Sequence, residues 1–109
     1  MGTSKSEHFN MKQNQLARYA KALAHPARIA IIEQLLKADH CICNDLVEKL
    51  PLSQSTISQH LKELKQAGII KGDIEGTKMC YCIDWKVWKK LEKTMNKLFN
   101  AYNNTDECC

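Results

Sequence analysis

Apolar residues recur at helical spacing through the first third of this chain. Between residues 9 and 23 they mark one face of a first helix. That helix should end before His25-Pro26, because the residue before a proline avoids helical geometry. Pro26 suits the first turn of a second helix, whose aliphatic stripe begins at Ile29 and runs to about Lys37. The chain is therefore predicted to open with two helices.

The middle of the chain predicts a short strand followed by two more helices. Residues 40–43 are short and apolar and predict a one-rung strand. Asn44 or Asp45 can cap a third helix, and a tight turn then leads to Ser53, a good N-cap for a fourth. Gly68 is placed to end that helix as a C-terminal cap. The core stripe of the fourth helix repeats at spacings of four and three: Ile57, Leu61 and Leu64.

After Gly68 the hydrophobic period changes to two. Residues 69–74 and 78–83 read as strands joined by a turn at 75–77, which makes a β-hairpin. A heptad-like seam on a final helix follows at Trp88, Leu91, Met95, Leu98 and Tyr102. Two helices joined by a tight turn and followed by a hairpin predict a winged helix-turn-helix, mainly α with a small β-hairpin wing and about five helices.

The length and composition of the chain are consistent with this fold. The 109 residues fit one domain, which we place at 9–102, between a flexible N-terminus at 1–8 and a cysteine-containing tail at 103–109. The aliphatic runs are too short to span a bilayer, and the N-terminal residues lack the apolar segment of a secretory signal. We therefore expect a cytoplasmic protein with no membrane contact.

The first and last helices carry more apolar surface than a small monomer should expose. We therefore expect a homodimer with a helical interface. The predicted interface residues are Leu16, Tyr19, Leu23, Trp88, Leu91, Met95, Leu98 and Tyr102.

The fourth helix has a polar face suited to DNA. Hydroxyls, amides and an imidazole can contact base edges and phosphates, and the N-terminal residues of the second helix of such a motif reach the major groove. The predicted DNA-binding residues are Ser53, Gln54, Ser55, Thr56, Ser58, Gln59, His60 and Lys62, with Lys78 on the wing. The chain has a net charge of +4, but residues 44–72 contribute only +1. A solvated polar face, or a winged helix that binds protein, is the alternative, and no arrangement of residues predicts an enzyme.

The six cysteines form three close pairs. Without a secretory signal, such pairs favour metal binding or redox sensing over a disulfide scaffold. Two thiolates close in sequence chelate a soft ion with a smaller loss of entropy. The pairs are Cys41 and Cys43, Cys80 and Cys82, and Cys108 and Cys109.

Three segments together resemble the ArsR/SmtB family of metalloregulatory repressors. They are Leu23-Ala24-His25-Pro26-Ala27-Arg28, the stretch from Leu52 to Leu64, and Ala67-Gly68-Ile69-Ile70. The resemblance covers roughly residues 14 to 100. It implies a homodimeric repressor that leaves double-stranded operator DNA when an effector binds.

Arsenic-sensing members of that family commonly carry Cys-x-Cys at the start of the third helix. Cys41-Ile42-Cys43 is similar to that motif, one residue early relative to Asp45-Leu46. Trivalent arsenic or antimony takes three thiolates, so the resemblance implies such a metalloid as effector, held by Cys41 and Cys43.

For the third thiolate we favour the exposed pair Cys108 and Cys109 over Cys80 and Cys82 on the wing. Zinc or cadmium is a less favoured effector, because it needs a fourth ligand and residues 85–102 hold no histidine. A redox or persulfide sensor that uses two cysteines on the same fold is the main alternative.

Overall fold

The computed structural model describes residues 7–38, 41–43, 50–73 and 79–102, with only the backbone at Cys43. The elements in chain order are α1 (Met11–Leu23), α2 (Pro26–Ala38), β1 (Ile42–Cys43), α3 (Gln54–Gln66), β2 (Ile70–Asp73), β3 (Cys80–Ile83) and α4 (Trp85–Asn100). The third helix of the sequence prediction falls on residues 44–49, outside the described residues, so α3 is the fourth helix of that prediction. The predicted architecture, helical with a small hairpin wing, is confirmed.

Local sequence sets where the helices begin and end. Asn10 caps α1 in a capping box. The side chain of Asn10 accepts a hydrogen bond from the backbone N–H of Gln13, and the side chain of Gln13 accepts one from the backbone N–H of Asn10. Ser53 caps α3 as predicted, with its hydroxyl accepting from the N–H of Thr56 at 3.3 Å. Gly68 follows the end of α3 with φ of +84°, the left-handed conformation that glycine adopts without strain.

The three strands form one antiparallel sheet in the order β1-β3-β2. The hairpin of the wing is β2 and β3, and the one-rung strand β1 adds to its other edge, beside β3. Gly72, with φ of +117°, allows β2 to approach β3 closely, since a Cβ there would lie 2.2 Å from the carbonyl oxygen of Cys80. The backbone N–H of Asp84 donates to the carbonyl of Ile69 at 2.9 Å and joins the end of the wing to the start of β2.

One hydrophobic core joins the helices to the inner face of the sheet. Its fully buried members come from α2, α3 and the wing, and the aliphatic stripe predicted for α3 lies at its centre. On β3 the side chains alternate: Tyr81 and Ile83 are buried, Cys80 is exposed and Cys82 is half-buried. The two wing cysteines therefore lie on the outer face of the sheet.

Two residues expected at a dimer interface are buried. Tyr19 and Leu91 are each only 4% exposed and lie in the core of the chain, which leaves little of either side chain to contact a second copy. Helix α4 ends at Asn100, so Tyr102 follows the helix rather than extending its seam. Leu16, Leu23, Trp88 and Met95 are half-buried, and Leu98 and Tyr102 are exposed. Among the described residues, no helix is long and apolar enough to cross a membrane.

Candidate functional site

The N-terminal half of α3 presents a polar face to solvent. Most of the residues predicted to contact DNA are exposed there: Ser53, Gln54, Ser55, Thr56, Gln59 and Lys62, while Ser58 is half-buried. The Ser53 hydroxyl also donates to the Thr56 hydroxyl at 3.0 Å and lies 3.2 Å from that of Ser55. The helix start is thus rich in groups that donate and accept hydrogen bonds. Lys78 lies outside the described residues.

His60 does not share this exposed face. Its side chain is only 9% exposed, and its Nδ1 accepts from the Nε of Arg28 at 3.1 Å. Burial lowers the pKa of His60, and the nearby His25 and Arg28 lower it further against a smaller opposite effect of Glu63. The imidazole is thus a neutral internal acceptor at pH 7. We therefore leave His60 out of the set of side chains that face a base edge.

Arg28 connects α1, α2 and α3. Its Nη1 donates to the carbonyls of Lys21 and Ala22, both at 3.3 Å, near the C-terminus of α1, while its Nε reaches His60 on α3. His25 supports the same corner: its Nδ1 accepts from the N–H of Ala27 at 3.0 Å, and its ring centre lies 4.4 Å from that of His60. From the sequence, the segment from His25 to Arg28 predicted a helix boundary and carried part of the family resemblance. In the structure, Arg28 and His25 connect this segment to the end of α1 and to α3.

A signal for the burial of His60 was present in the sequence. His60 stands three residues after Ile57 and one before Leu61, which places it beside the core stripe of α3. The C-terminal end of α3 is tied to the wing in turn, because the Nζ of Lys65 donates to the carbonyl of Gly72 at 2.7 Å. Arg28 therefore contacts the middle of α3, and the wing contacts its C-terminal end.

The strand register brings two cysteine pairs together. Ile42 pairs with Tyr81 and Cys43 with Cys80, so the next antiparallel step places Cys41 opposite Cys82. Since Ile42 and Tyr81 point into the core, Cys41, Cys80 and Cys82 fall on the outer face of the sheet. The register that the sequence left open thus places the wing cysteines beside the Cys-x-Cys of β1.

The side chains of Cys41 and Cys82 are in direct contact. Both are free thiols and they share a hydrogen bond, which raises the pKa of Cys82 together with its burial. Lys71 on β2 pairs with Cys82 in register, and its ammonium group has the opposite, lowering effect on that pKa. Cys80 is disulfide-bonded. The free thiols described on this face therefore form a cross-strand pair.

A complete metal site is not assembled by the described side chains. Within residues 7–38, 41–43, 50–73 and 79–102, no group of three or more His, Cys, Asp or Glu side chains is arranged to hold a metal ion. The tail pair Cys108 and Cys109, predicted to supply a third thiolate, lies outside the described residues. What the described face offers is a dithiol that a thiophilic atom can bridge.

Several known proteins are similar to this chain in sequence and in fold. Residues 25–71 match the bacterial regulatory protein, arsR family. The chain is 44% identical over 61 residues to the HTH-type transcriptional repressor SmtB of Mycobacterium tuberculosis, a match that covers 56% of this chain and 44% of SmtB. This chain thus spans less than half the length of that repressor. It is 27% identical over 99 residues to the arsenical resistance operon repressor of Staphylococcus xylosus, covering 91% and 90% of the two chains.

Two further matches extend over nearly the whole of the matched protein. An uncharacterized HTH-type transcriptional regulator of Methanocaldococcus jannaschii is 36% identical over 89 residues, which cover 80% of this chain and 98% of that one. The structure of HlyU from Vibrio cholerae superposes with a TM-score of 0.64 at 25% identity, covering 86% and 98% of the two chains. The family resemblance drawn from the sequence is confirmed, and the chain belongs to the ArsR family of winged-helix regulatory proteins.

Proposed function

We propose that this protein is a homodimeric transcriptional repressor that binds operator DNA through α3 and releases it when a trivalent arsenic-class metalloid binds cysteine thiolates. The exposed polar face of α3 supports the DNA-binding part. The observation that carries the effector part is the contact of Cys41 with Cys82 on the outer face of the sheet. The similarity to an arsenical resistance operon repressor points the same way.

The DNA-binding part uses short side chains at the start of α3. Ser55 and Gln59 are exposed and can reach base edges in the major groove, while the ammonium group of Lys62 contacts a phosphate. The predicted Lys78 contact on the wing would add a second phosphate. The two-fold symmetry of a homodimer requires two matching half-sites about one helical turn apart or a multiple of it.

The effector part uses the position of β1 in the chain. Cys43 ends β1, and the residues that follow lead to the recognition helix. An arsenic atom held by Cys41, Cys43 and a third thiolate would pull β1 toward its ligands and shift the start of that segment. A coupling of about 1–3 kcal/mol between effector and DNA weakens DNA binding about 5- to 150-fold. The metalloid must bind the DNA-free form more tightly than the bound form.

The test is a DNA-release titration. Protein reduced with a phosphine is bound to fluorescent DNA selected from a random pool, and sodium arsenite, antimonite, phenylarsine oxide, zinc and cadmium are added separately while anisotropy is read. We expect release by the arsenic and antimony compounds. The matched control is Cys41→Ser/Cys43→Ser, which should bind the same DNA with wild-type affinity and keep it at every arsenite concentration. Release of that variant at the wild-type arsenite concentration would contradict the proposal.

A thiol redox sensor is a second candidate, favoured by the disulfide at Cys80. In that case oxidation, rather than a metalloid, would change the strand pairing between β1 and β3. A persulfide donor or diamide would then release DNA, a phosphine would restore binding, and arsenite would have no effect on the reduced protein. The same anisotropy assay therefore separates the two functions.

A further inference from the structure

The free thiols of Cys41 and Cys82 belong to a row of side chains that crosses all three strands. Cys41 precedes β1, Cys82 lies opposite it on β3, and Lys71 lies opposite Cys82 on β2. Cys41 is exposed, Cys82 is half-buried, and the two thiols are hydrogen-bonded. The pair is thus accessible to a small solute and already preorganised.

The cross-strand pair is closer than the Cys-x-Cys pair along β1. Residues i and i+2 of one strand lie about 7 Å apart, since each residue advances the strand by roughly 3.3 Å. Directly opposed residues of antiparallel strands have Cα atoms only about 4.5–5.5 Å apart. The hydrogen bond between the two thiols already places both sulfurs side by side. The geometry therefore favours Cys41 with Cys82 over Cys41 with Cys43 as a two-thiol chelate.

The number of available thiols selects the chemical class of the ligand. With Cys80 in a disulfide, the described face offers two thiols rather than three. A monosubstituted trivalent arsenical, R–As(OH)₂, has two exchangeable oxygens. It reacts with two thiols to form two As–S bonds and release two water molecules, with the thiol protons leaving on the hydroxyl groups. No atom is oxidised or reduced in this exchange.

We propose that Cys41 and Cys82 form a cross-strand dithiol site that binds monosubstituted trivalent arsenicals and clamps β1 to the wing. Only the consequence for DNA rests on the proposed function, because capture of the arsenical by the two thiols is a property of the sheet alone.

The experiment measures binding of phenylarsine oxide to the DNA-free full chain, kept without reductant so that the Cys80 disulfide stays intact. Loss of free thiols is followed with a chromogenic disulfide, and the adduct is weighed by native mass spectrometry. We expect one arsenical per chain at this site, with two thiols consumed. Cys41→Ser and Cys82→Ser should each weaken capture about 100-fold or more, because a chelate becomes a single-point attachment. The matched control Asp73→Ser changes an exposed residue of the neighbouring strand β2, leaves both thiols in place and should bind as the wild type does.

The tail pair Cys108 and Cys109 needs a separate set of titrations, since adjacent thiols also capture such arsenicals. All titrations are therefore repeated in the Cys108→Ser/Cys109→Ser background. Retained binding there, lost on adding Cys82→Ser, supports the site. Loss in the tail variant, or wild-type binding by Cys82→Ser in that background, overturns it.

A readout on the unmutated protein covers the case in which a cysteine variant fails to fold. Bound phenylarsine oxide should protect Cys41 and Cys82 from alkylation by iodoacetamide, as mapped on peptides. Protection of a different pair would overturn the assignment. If the two thiols capture the arsenical but selected DNA is not released, the proposed function fails and this site stands. If DNA is released while the Cys82→Ser variant still binds the arsenical as the wild type does, this site fails and the proposed function stands.

Discussion

Replacement of Arg28 by methionine tests whether the corner between α1, α2 and α3 holds the recognition helix. Methionine keeps the length and the apolar stem of the side chain but removes all of its donors. The change deletes the 3.1 Å bond from Nε to His60 and the two 3.3 Å bonds from Nη1 to the carbonyls of Lys21 and Ala22. It also leaves the buried Nδ1 of His60 without its donor.

The magnitude follows from the geometry of these bonds. A net contribution of about 1 kcal/mol is typical of one intramolecular hydrogen bond. The two carbonyl contacts share a single Nη1 and are long, so together they count as about one bond. The expected loss in the free energy of unfolding is therefore about 2 kcal/mol, a substantial part of the roughly 5–15 kcal/mol that stabilises a domain.

The assay is urea unfolding at pH 7 and one fixed protein concentration, because the proposed dimerisation would make stability depend on concentration. Arg18→Met is the matched control: Arg18 is exposed and lines the same cleft as Arg28, and we expect its change to stay within about 0.5 kcal/mol. An Arg28→Met variant no less stable than this control would refute the reasoning. A second readout is independent of stability. NMR titration should show the pKa of His60 rising, since the positive charge of Arg28 contributes to its lowering.

Four further outcomes are expected. Gly72→Ala should destabilise the wing and lower the melting temperature, because its Cβ would meet the backbone of the neighbouring strand. The free energy of unfolding should stay constant above pH 6.5, the ordinary pKa of histidine, and fall as the pH drops below it. The reason is that the pKa of His60 is lowered in the folded protein, so the unfolded chain takes up the proton first. His60→Gln should flatten this pH dependence in urea unfolding. Gln59→Ala should relax base preference in competition binding, whereas Lys62→Ala should weaken all sequences and reduce the salt slope by about one unit; an unchanged preference would contradict the groove assignment. Leu98→Glu should raise the monomer fraction in sedimentation, because a side chain that is 56% exposed in one protomer would carry charge into the dimer interface.

The periodicity and capping chemistry of the sequence were sufficient for the architecture. The helical stripes, the N-cap at Ser53 and the left-handed Gly68 depend on contacts within a few residues, and all three were predicted at the right positions. The burial pattern of β3 follows the two-residue period of its sequence, which leaves Cys80 and Cys82 on the outer face. The polar face of α3 was found by the same kind of local pattern.

The tertiary structure alone decided the relations between segments that are distant in the chain. Whether Cys41 faces Cys82 depends on a single step of strand register, since a shift by one residue would move every side chain of β1 to the other face. The role of Arg28 depends on three helices meeting at one guanidinium group. The burial of Tyr19 and Leu91, expected at a dimer interface, depends on how closely α1 and α4 pack on the core of one protomer. A hydrophobic stripe shows that a face is covered, and the three-dimensional packing determines what covers it.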